Sequence, residues 1–241
     1  DLLVEEDLTL PFGFAKDFEP RADGDWELSK GNRTWRTEYR DEQWRVHFEG
    51  KRLTVSLTLD GPGEGLTAIA SSIGRPFAHT YKVCSLPAAI DVSVDGQAGS
   101  SAGGGSIDFT LGYPPRTTLW NWASAHGHTE TGREFGLNLV GQFMNGQENG
   151  LWFDGDLIAL PQAVFEYDPA NPLGVWRIRT LDGSVDLEFA PEGRRSQNLR
   201  AGVMASVFTQ PFGHFTGTIR HDGTEFQVTA LGVVEEHLAT W

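Results

Sequence analysis

The sequence predicts an all-β protein made of antiparallel strands. Runs in which apolar and polar residues alternate recur about every ten residues along the chain. Asp–Gly pairs, the strongest short signal for a β-hairpin turn, separate several of these runs. No segment between them has a convincing amphipathic helical period, and the nearest helical candidate is the C-terminal stretch EEHLATW, residues 235–241. This pattern is typical of an antiparallel sandwich or barrel.

The domain limits follow from where the alternation begins. Residues 1–31 show no clear period and mix glycine, proline and acidic residues, which predicts an irregular lead-in. Alternation begins after this segment, so we expect a single domain over residues 32–241. The Gly/Ser-rich run at 97–105 predicts a mobile loop, and any subdivision of the domain is expected near it.

Hairpins are predicted where two alternating strands flank a short turn. Trp44, Val46 and Phe48 alternate with polar neighbours, and a Gly50–Lys51 turn joins them to a second alternating strand that begins at Leu53. The other predicted turns each contain an Asp–Gly pair, at 95–96, 154–155, 182–183 and 222–223.

The composition excludes several classes of partner. The formal net charge of −14 argues against binding to nucleic acid or to an anionic membrane surface. No stretch approaches the roughly 20 apolar residues of a membrane helix, so we expect no integral membrane segment. The single cysteine, Cys84, excludes an intrachain disulfide, and its strand-like setting is typical of a small buried side chain. The compartment is left open, with a soluble cytoplasmic protein slightly favoured.

The strong zinc-binding motifs are absent. The sequence contains no HExxH and no paired CxxC motif. His126 and His128 are two residues apart, a common spacing for metal ligands on one strand face, but the rest of a ligand set is not apparent beside them. We therefore expect both to be solvated residues of the turn-rich segment 125–134, and we expect no metal and no cofactor.

The most unusual stretch is GYPPRTTLWNWAS, residues 112–124. As a strand from Thr117 onward, its period of two puts Trp120 and Trp122 on one face and Asn121 on the other. Two tryptophans on one face suit either a packed core or the wall of a pocket for an apolar ligand. If this strand lines a cavity, we expect the tryptophans to point into it and Asn121 to point away.

Polar residues interleaved with aromatic residues on several strands favour a cavity, because a filled barrel is expected to use Val, Ile and Leu there. Arg116, which follows two prolines, is interpreted either as a carboxylate clamp or as a partner for a surface acid. The predicted ligand-binding residues are Tyr113, Arg116, Trp120, Asn121, Trp122, Asn138, Asn149 and Trp152.

Three residues are candidates for acid–base catalysis. Glu166 shares a strand face with Val164, where partial desolvation suits a general acid, and the alternative is an edge glutamate that faces water. His214 lies among aromatic residues in PFGHFTGTI and is either a proton shuttle or a structural histidine. Glu148 precedes the hairpin strand that carries Trp152.

Several blocks, taken in order, carry a resemblance to a known family. They are GYPPRTTLWNWAS, ENGLWFDGDL, VWRIRT with DLEFAPEGRR, QPFGHFTGTI and GVVEEHLATW, within about residues 80–241. Together they resemble the domain of unknown function 2804 family. The resemblance implies an antiparallel lipocalin-like (calycin) β-barrel, with a partial second barrel or sheet from the N-terminal part.

The same resemblance implies a distant similarity to carotenoid 1,2-hydratases, to lipocalin-like cyclases of natural-product pathways and to fungal tandem-lipocalin proteins implicated in sphingolipid handling. Members of the family are longer, with an N-terminal half that forms a companion barrel. Little precedes Trp35 here, so we expect that half to be missing or reduced.

Three functions are compatible with these observations. The first is an enzyme that binds an isoprenoid, polyketide or lipid-like molecule in an aromatic-lined barrel and catalyses acid–base hydration, cyclisation or isomerisation. The second is a carrier of the same class of ligand without chemistry. The third is a structural or interaction domain whose tryptophans are core residues. The enzyme is placed slightly ahead of the carrier, and the expected protein partner is a second copy of the chain or a missing N-terminal half.

Overall fold

The structure, a computed structural model, describes Val4, residues 16–71 and residues 77–240. Within these residues it contains seventeen β-strands, no α-helix and a 3₁₀ turn at Met144–Gly146. Neighbouring strands with a defined register are antiparallel, from β1 with β2 to β16 with β17. The prediction of an all-β antiparallel fold is therefore confirmed. None of the helical structure in these residues is long or apolar enough to cross a membrane.

The chain divides into two compact units. One contains Asp1–Gly63 and Leu86–Phe109, and the other contains Glu64–Ser85 and Thr110–Trp241. A sheet from the N-terminal part of the chain therefore exists, as predicted. The domain limits drawn from the sequence, 1–31 and 32–241, stay predictions.

The first unit is built on an antiparallel sheet of short hairpins. Its neighbour order is β1-β2-β3-β4-β5-β7, and β8 also pairs with β7. Its buried side chains include Trp44, whose ring centroid lies 4.5 Å from that of Tyr39. The strands are β1 (Lys16–Phe18), β2 (Trp26–Lys30), β3 (Arg33–Arg40), β4 (Gln43–Glu49), β5 (Leu53–Asp60), β7 (Phe77–Val94) from residue 86, and β8 (Gln97–Gly112) up to residue 109.

Two expectations about irregular segments are corrected in this unit. The lead-in predicted over residues 1–31 contains β1 and β2, while residues 1–3 and 5–15 lie outside the described residues. The Gly/Ser-rich run at 97–105 is not a loop but part of β8. Backbone pairing requires no side chain, and close packing here requires small residues. A Cβ at Gly105 would come within 2.2 Å of Leu59 Cδ2.

The second unit is built on a nine-stranded antiparallel sheet with the order β12-β11-β10-β9-β17-β16-β15-β14-β13. β6 pairs with the first part of β7 in the same unit. The strands are β6 (Leu66–Ser71), β9 (Thr117–Thr129), β10 (Glu134–Gly141), β11 (Gly150–Phe153), β12 (Asp156–Ala159), β13 (Ala163–Glu166), β14 (Trp176–Thr180), β15 (Val185–Ala201), β16 (Met204–His221) and β17 (Thr224–Thr240).

One face of the nine-stranded sheet carries a continuous apolar core, and we call it the core face. Alternate residues of each strand point into it, as the period of two requires. Large side chains fill this core, and each of them is at most 2% exposed: Phe135, Leu137, Leu139, Leu151, Phe153, Trp176, Ile178, Leu187, Phe189, Phe215 and Ile219. The opposite side of β9 carries Trp120, Trp122, Ser124, His126 and His128, and we call it the Trp120 face.

The predicted Asp–Gly turns are confirmed as hairpin connections. At 95–96, 154–155 and 222–223 both residues have positive φ, between 50° and 94°. Two left-handed residues match the twist of the flanking strands, which explains why Asp or Asn followed by Gly is favoured there. The turn at 182–183 also joins two paired strands, β14 and β15, but only Gly183 has a positive φ.

Two further segments differ from their predicted structure. Residues 235–240 belong to β17 rather than to a helix. In the segment 125–134, His126 and His128 belong to β9, Glu134 begins β10, and only residues 130–133 form the turn. Cross-strand pairing overrides the weak local preferences of both segments.

Removing apolar volume from the core face is expected to destabilise the protein strongly. Leu187 is 0% exposed and Leu231, on β17, is 60% exposed. Leu187→Ala should lower the free energy of unfolding by about 2–5 kcal/mol, because it leaves a cavity, whereas Leu231→Ala should change it by less than about 0.5 kcal/mol. Urea unfolding of both variants measures this difference, and equal effects would contradict the assigned core.

The turn between β14 and β15 depends on one carboxylate. Asp182 Oδ1 accepts hydrogen bonds from Ser184 N at 3.0 Å, Ser184 Oγ at 2.7 Å and Thr180 Oγ1 at 2.7 Å. Burial acts to raise the pKa of Asp182, but the hydrogen bonds from Ser184 and Thr180 outweigh it and hold the pKa below its usual range.

A lowered pKa in the folded state adds stability that is present above the ordinary carboxyl pKa of about 4 and lost as the pH falls through the folded value. Asp182→Asn should therefore lower the free energy of unfolding at neutral pH by about 1 kcal/mol, a small value because the side chain is mostly exposed. The cost should shrink as the pH falls below the ordinary carboxyl value of about 4 and through the lower folded pKa. Chemical unfolding at neutral pH and at a series of acidic pH values tests this, and a cost independent of pH would rule out the role of the charge.

Candidate functional site

The structure reverses the predicted orientation of the central motif. Asn121 lies on the core face with Ala123 and is 5% exposed, while Trp120 and Trp122 are half-buried on the opposite face. Paired residues share a face, so Asn121 lies on the same face as Glu236, and Trp120 on the same face as His237. The expectation that the tryptophans point into the barrel interior is therefore wrong. Apolar side chains fill the core face, whereas polar side chains lie beside the aromatic rings of the Trp120 face.

Asn121 takes part in a buried hydrogen-bond network instead. Its Nδ2 donates to Tyr167 Oη at 3.0 Å, and the Tyr167 hydroxyl donates to Glu236. The Tyr167 ring stacks on Trp176 with centroids 3.6 Å apart. Burial, reinforced by the hydrogen bond to Glu236, raises the pKa of Tyr167 to about 12. Tyr167 therefore stays protonated at neutral pH and serves as a fixed donor at the edge of the core.

The Trp120 face carries a histidine oriented by a carboxylate. His237 Nδ1 lies 3.3 Å from Glu235 Oε1, and His237 Nε2 lies 3.0 Å from Ser206 Oγ. Glu235 is itself held in place, because it accepts hydrogen bonds from Trp120 Nε1 at 3.0 Å and from Gln210 Nε2 at 2.9 Å. A carboxylate on one imidazole nitrogen and a hydroxyl on the other is the arrangement that sets the tautomer of a general acid or base.

Aromatic rings surround this histidine. The ring centroid of His237 lies 4.2 Å from that of Trp120 and 5.2 Å from that of Phe208. The ring centroid of Phe143 lies 5.9 Å from that of Trp120. The side chain of His237 is 17% exposed, so the imidazole is largely shielded but still reachable from outside. We call Ser206, Phe208, Glu235 and His237, together with Trp120, the His237 cluster.

A second polar group lies next to Trp122. Trp122 Nε1 donates to Asn138 Oδ1 at 2.8 Å, and Asn138 Nδ2 donates to the carbonyl oxygen of Glu148 at 2.7 Å. The Glu148 carboxylate lies 4.0 Å from Lys82 Nζ, and both side chains are almost fully buried, at 2% and 6% exposed. A buried ion pair of this kind is costly to break, because removing one partner leaves an uncompensated charge.

The other predicted catalytic residues lie at the surface in ion pairs. Glu166 is 50% exposed and its Oε1 lies 2.9 Å from Arg179 Nη2. His214 is 55% exposed and its Nε2 lies 2.9 Å from Glu192 Oε1. Of the two alternatives left open for Glu166, the structure shows the edge glutamate that faces water, since it lies on the last strand of the sheet and its half-exposed side chain pairs with Arg179. Neither residue approaches the His237 cluster through a hydrogen bond or ion pair of the described residues.

Three of the predicted ligand-binding residues make structural hydrogen bonds, and a fourth, Tyr113, is 63% exposed. Arg116 Nη2 donates to the carbonyl of Val203 at 3.1 Å. Asn149 satisfies backbone groups, since its Oδ1 accepts from Val140 N at 2.6 Å. The buried Trp152 donates from Nε1 to the carbonyl of Glu64 at 2.6 Å.

The residues of the His237 cluster were only partly accessible to sequence reasoning. Glu235 and His237 are two apart, so a strand puts them on one face, whereas a helix would turn them about 200° apart. The helical expectation for residues 235–241 therefore concealed their relation. Ser206 is 31 positions from His237 along the chain, and only the pairing of β16 with β17 brings them together.

Solved structures share this fold at low sequence identity. A Nitrosomonas europaea protein named AttH matches with 14% identity and a TM-score of 0.55, over 87% of this chain and 68% of its own. Kievitone hydratase from Nectria haematococca matches with 13% identity and a TM-score of 0.50, over 88% and 82% of the two chains. CghA in complex with Sch210972 matches with 12% identity and a TM-score of 0.51, over 90% and 71%. These likenesses confirm the lipocalin-like fold and go no further.

No curated protein matches the sequence. One family model does, under the description Domain of unknown function (DUF2804), and its match extends over residues 3–241. The resemblance expected from the order of the sequence blocks is therefore confirmed over nearly the whole length. The chain belongs to the DUF2804 family.

Proposed function

We propose that the chain binds an apolar small molecule against the aromatic rings of the His237 cluster and catalyses an acid–base reaction on it. The substrate class is isoprenoid, polyketide or lipid-like, and the reaction is a hydration, a cyclisation or an isomerisation. One observation carries the proposal. His237 is held between Glu235 and Ser206 and lies 4.2 Å from the Trp120 ring, on a half-buried surface.

His237 supplies the proton in this proposal. In a hydration, the protonated imidazole donates its proton to one carbon of a double bond, and water attacks the cation that forms at the other carbon. The imidazole then takes up the proton that the added water loses, so the net change is the addition of one water molecule. Glu235 stabilises the imidazolium and keeps the ring oriented. The Trp120 face stabilises the cation by cation–π attraction, typically about 0.5–2 kcal/mol.

The fold supports this reaction class by analogy. One of the structures with the same fold is named as a hydratase, and another is a complex with a small molecule. A shared fold hosts many functions, so the proposal depends on the His237 cluster and not on the likeness. Of the residues predicted from the sequence, Glu148 takes a supporting role. The Glu148 carbonyl oxygen accepts a hydrogen bond from Asn138, which in turn accepts one from Trp122. The Glu148 carboxylate pairs with Lys82.

A non-catalytic carrier is the second candidate. It is favoured by the state of Glu235, whose two oxygens already accept hydrogen bonds from Trp120 and Gln210. A carboxylate with satisfied hydrogen bonds can stabilise an aromatic surface without taking part in proton transfer. The two candidates differ in whether the bound molecule is converted.

Substitution of His237 tests the catalytic proposal. A panel of isoprenoid, polyketide and fatty-acyl compounds with a double bond is screened for conversion by mass spectrometry. His237→Gln should lower kcat on the best substrate by about 100- to 10,000-fold, the usual contribution of a general acid or base. His214→Gln is the matched control, since this exposed histidine also pairs with a glutamate, and it should leave kcat unchanged. Full activity in His237→Gln would exclude the proposed role, and conversion of no compound would favour the carrier.

Substitution of Trp120 tests the binding surface independently of turnover. The purified chain is extracted with organic solvent to identify a bound lipid, and the affinity for that compound is measured by calorimetry. Trp120→Ala should raise Kd about tenfold, because an aromatic contact contributes about 0.5–1.5 kcal/mol beyond its buried area. Trp35→Ala removes a 44% exposed tryptophan of the first unit and serves as the control. Equal affinities in the two variants would place the ligand elsewhere.

A further inference from the structure

The hairpin between β9 and β10 brings three potential metal ligands together. Its turn is held by Thr129, whose backbone N–H donates to the carbonyl of Arg133 at 2.9 Å and whose Oγ1 accepts from Arg133 N at 3.1 Å. Gly132, with φ of 82°, closes the turn. This geometry fixes the register so that Glu134 lies directly opposite His128. A register slip of one residue would turn Glu134 to the other face.

The ligand atoms of these residues are close to one another. His128 Nε2 lies 3.6 Å from Glu134 Oε1. One ligand atom of each of His126, His128 and Glu134 lies within 4.8 Å of the other two. A tetrahedral zinc ion with bonds of about 2.0–2.1 Å holds its ligand atoms about 3.3–3.4 Å apart. Rotation of the exposed His128 and Glu134 side chains, 54% and 61% exposed, can bring the three atoms to that spacing.

His126 is prepared for binding by its surroundings. Ser85 Oγ lies 3.2 Å from His126 Nδ1, which leaves Nε2 as the nitrogen for a metal. A hydrogen bond to the second nitrogen of a ligating histidine is a common feature of metal sites, since it fixes the tautomer and the ring orientation.

We propose that His126, His128 and Glu134 bind one divalent transition-metal ion, with Zn²⁺ as the best match to two imidazoles and one carboxylate. Three protein ligands at a partly exposed hairpin leave a fourth position for water. The sequence favoured solvated histidines because the rest of a ligand set was not apparent beside them, and the pairing of β9 with β10 supplies Glu134 as a third candidate ligand. This site is independent of the function proposed for the His237 cluster.

The experiment measures binding of Zn²⁺ alone to the full chain. Protein without an affinity tag is treated with EDTA, desalted and titrated with ZnCl₂ by calorimetry, and Co²⁺ absorption reports the coordination geometry. We expect one ion per chain. His128→Ala and Glu134→Gln should each weaken binding at least tenfold, and Ser85→Ala should weaken it about tenfold because His126 loses the hydrogen bond that orients its ring. Far-UV circular dichroism checks that each variant is folded.

His214→Ala provides the matched control. His214 also lies beside a glutamate, with its Nε2 2.9 Å from Glu192 Oε1. Among the described residues, however, His214 belongs to no group of three potential metal ligands. Zinc affinity should be unchanged in this variant. Absence of stoichiometric binding, or an affinity in His128→Ala and Glu134→Gln equal to that of the unmodified chain, would overturn the proposal. Because this experiment measures metal binding, its failure does not bear on the catalytic proposal. A failure of the His237→Gln experiment, in turn, does not bear on the metal site.

Discussion

The register between β9 and β17 is the constraint on which the second unit depends. These strands are far apart in sequence, yet they pair continuously from Thr117 with Thr240 to Thr129 with Val228. They lie at the middle of the nine-stranded sheet and connect the hairpins of β10–β12 to those of β13–β16. A slip of one residue would exchange the apolar and polar faces of a strand. Filling of the core face therefore selects a single register.

This register gives neighbouring residues on one strand different environments. Glu236 faces the core side and accepts a hydrogen bond from Tyr167, while Glu235 faces the opposite side and accepts one from Trp120. Both carboxylates are shielded from water to a large extent, and both accept hydrogen bonds from residues distant in the sequence. Polar groups that are buried without such donors would cost about 1–3 kcal/mol each. The hydrogen bonds to Glu235 and Glu236 therefore depend on the pairing of β9 with β17 as well as on the residue types.

The filled core face and the half-buried Trp120 face have complementary roles. The core supplies a rigid sheet, because its large side chains are packed at close to zero exposure. The other face carries the residues for which we propose a role in catalysis, since an imidazole has to be reachable to exchange a proton. Their place on a rigid sheet would keep the proposed geometry precise. The proposed metal ligands lie on the same face of the sheet, at the end of β9 where the hairpin turn begins.

The sequence by itself determined the fold class, the hairpin turns and the family. Alternation and Asp–Gly pairs report on local geometry, which each segment largely decides alone. Only the tertiary structure decided which face of β9 is buried, because a period of two separates two faces without saying which one is inside. It also decided that β8 and the end of β17 are strands, since cross-strand hydrogen bonds overrule local preference. The tertiary structure also brought together the residues of the His237 cluster and the three potential metal ligands. Ser206 and Glu134 reach their partners across strand pairs, and their spacing along the chain carries no signal of that proximity.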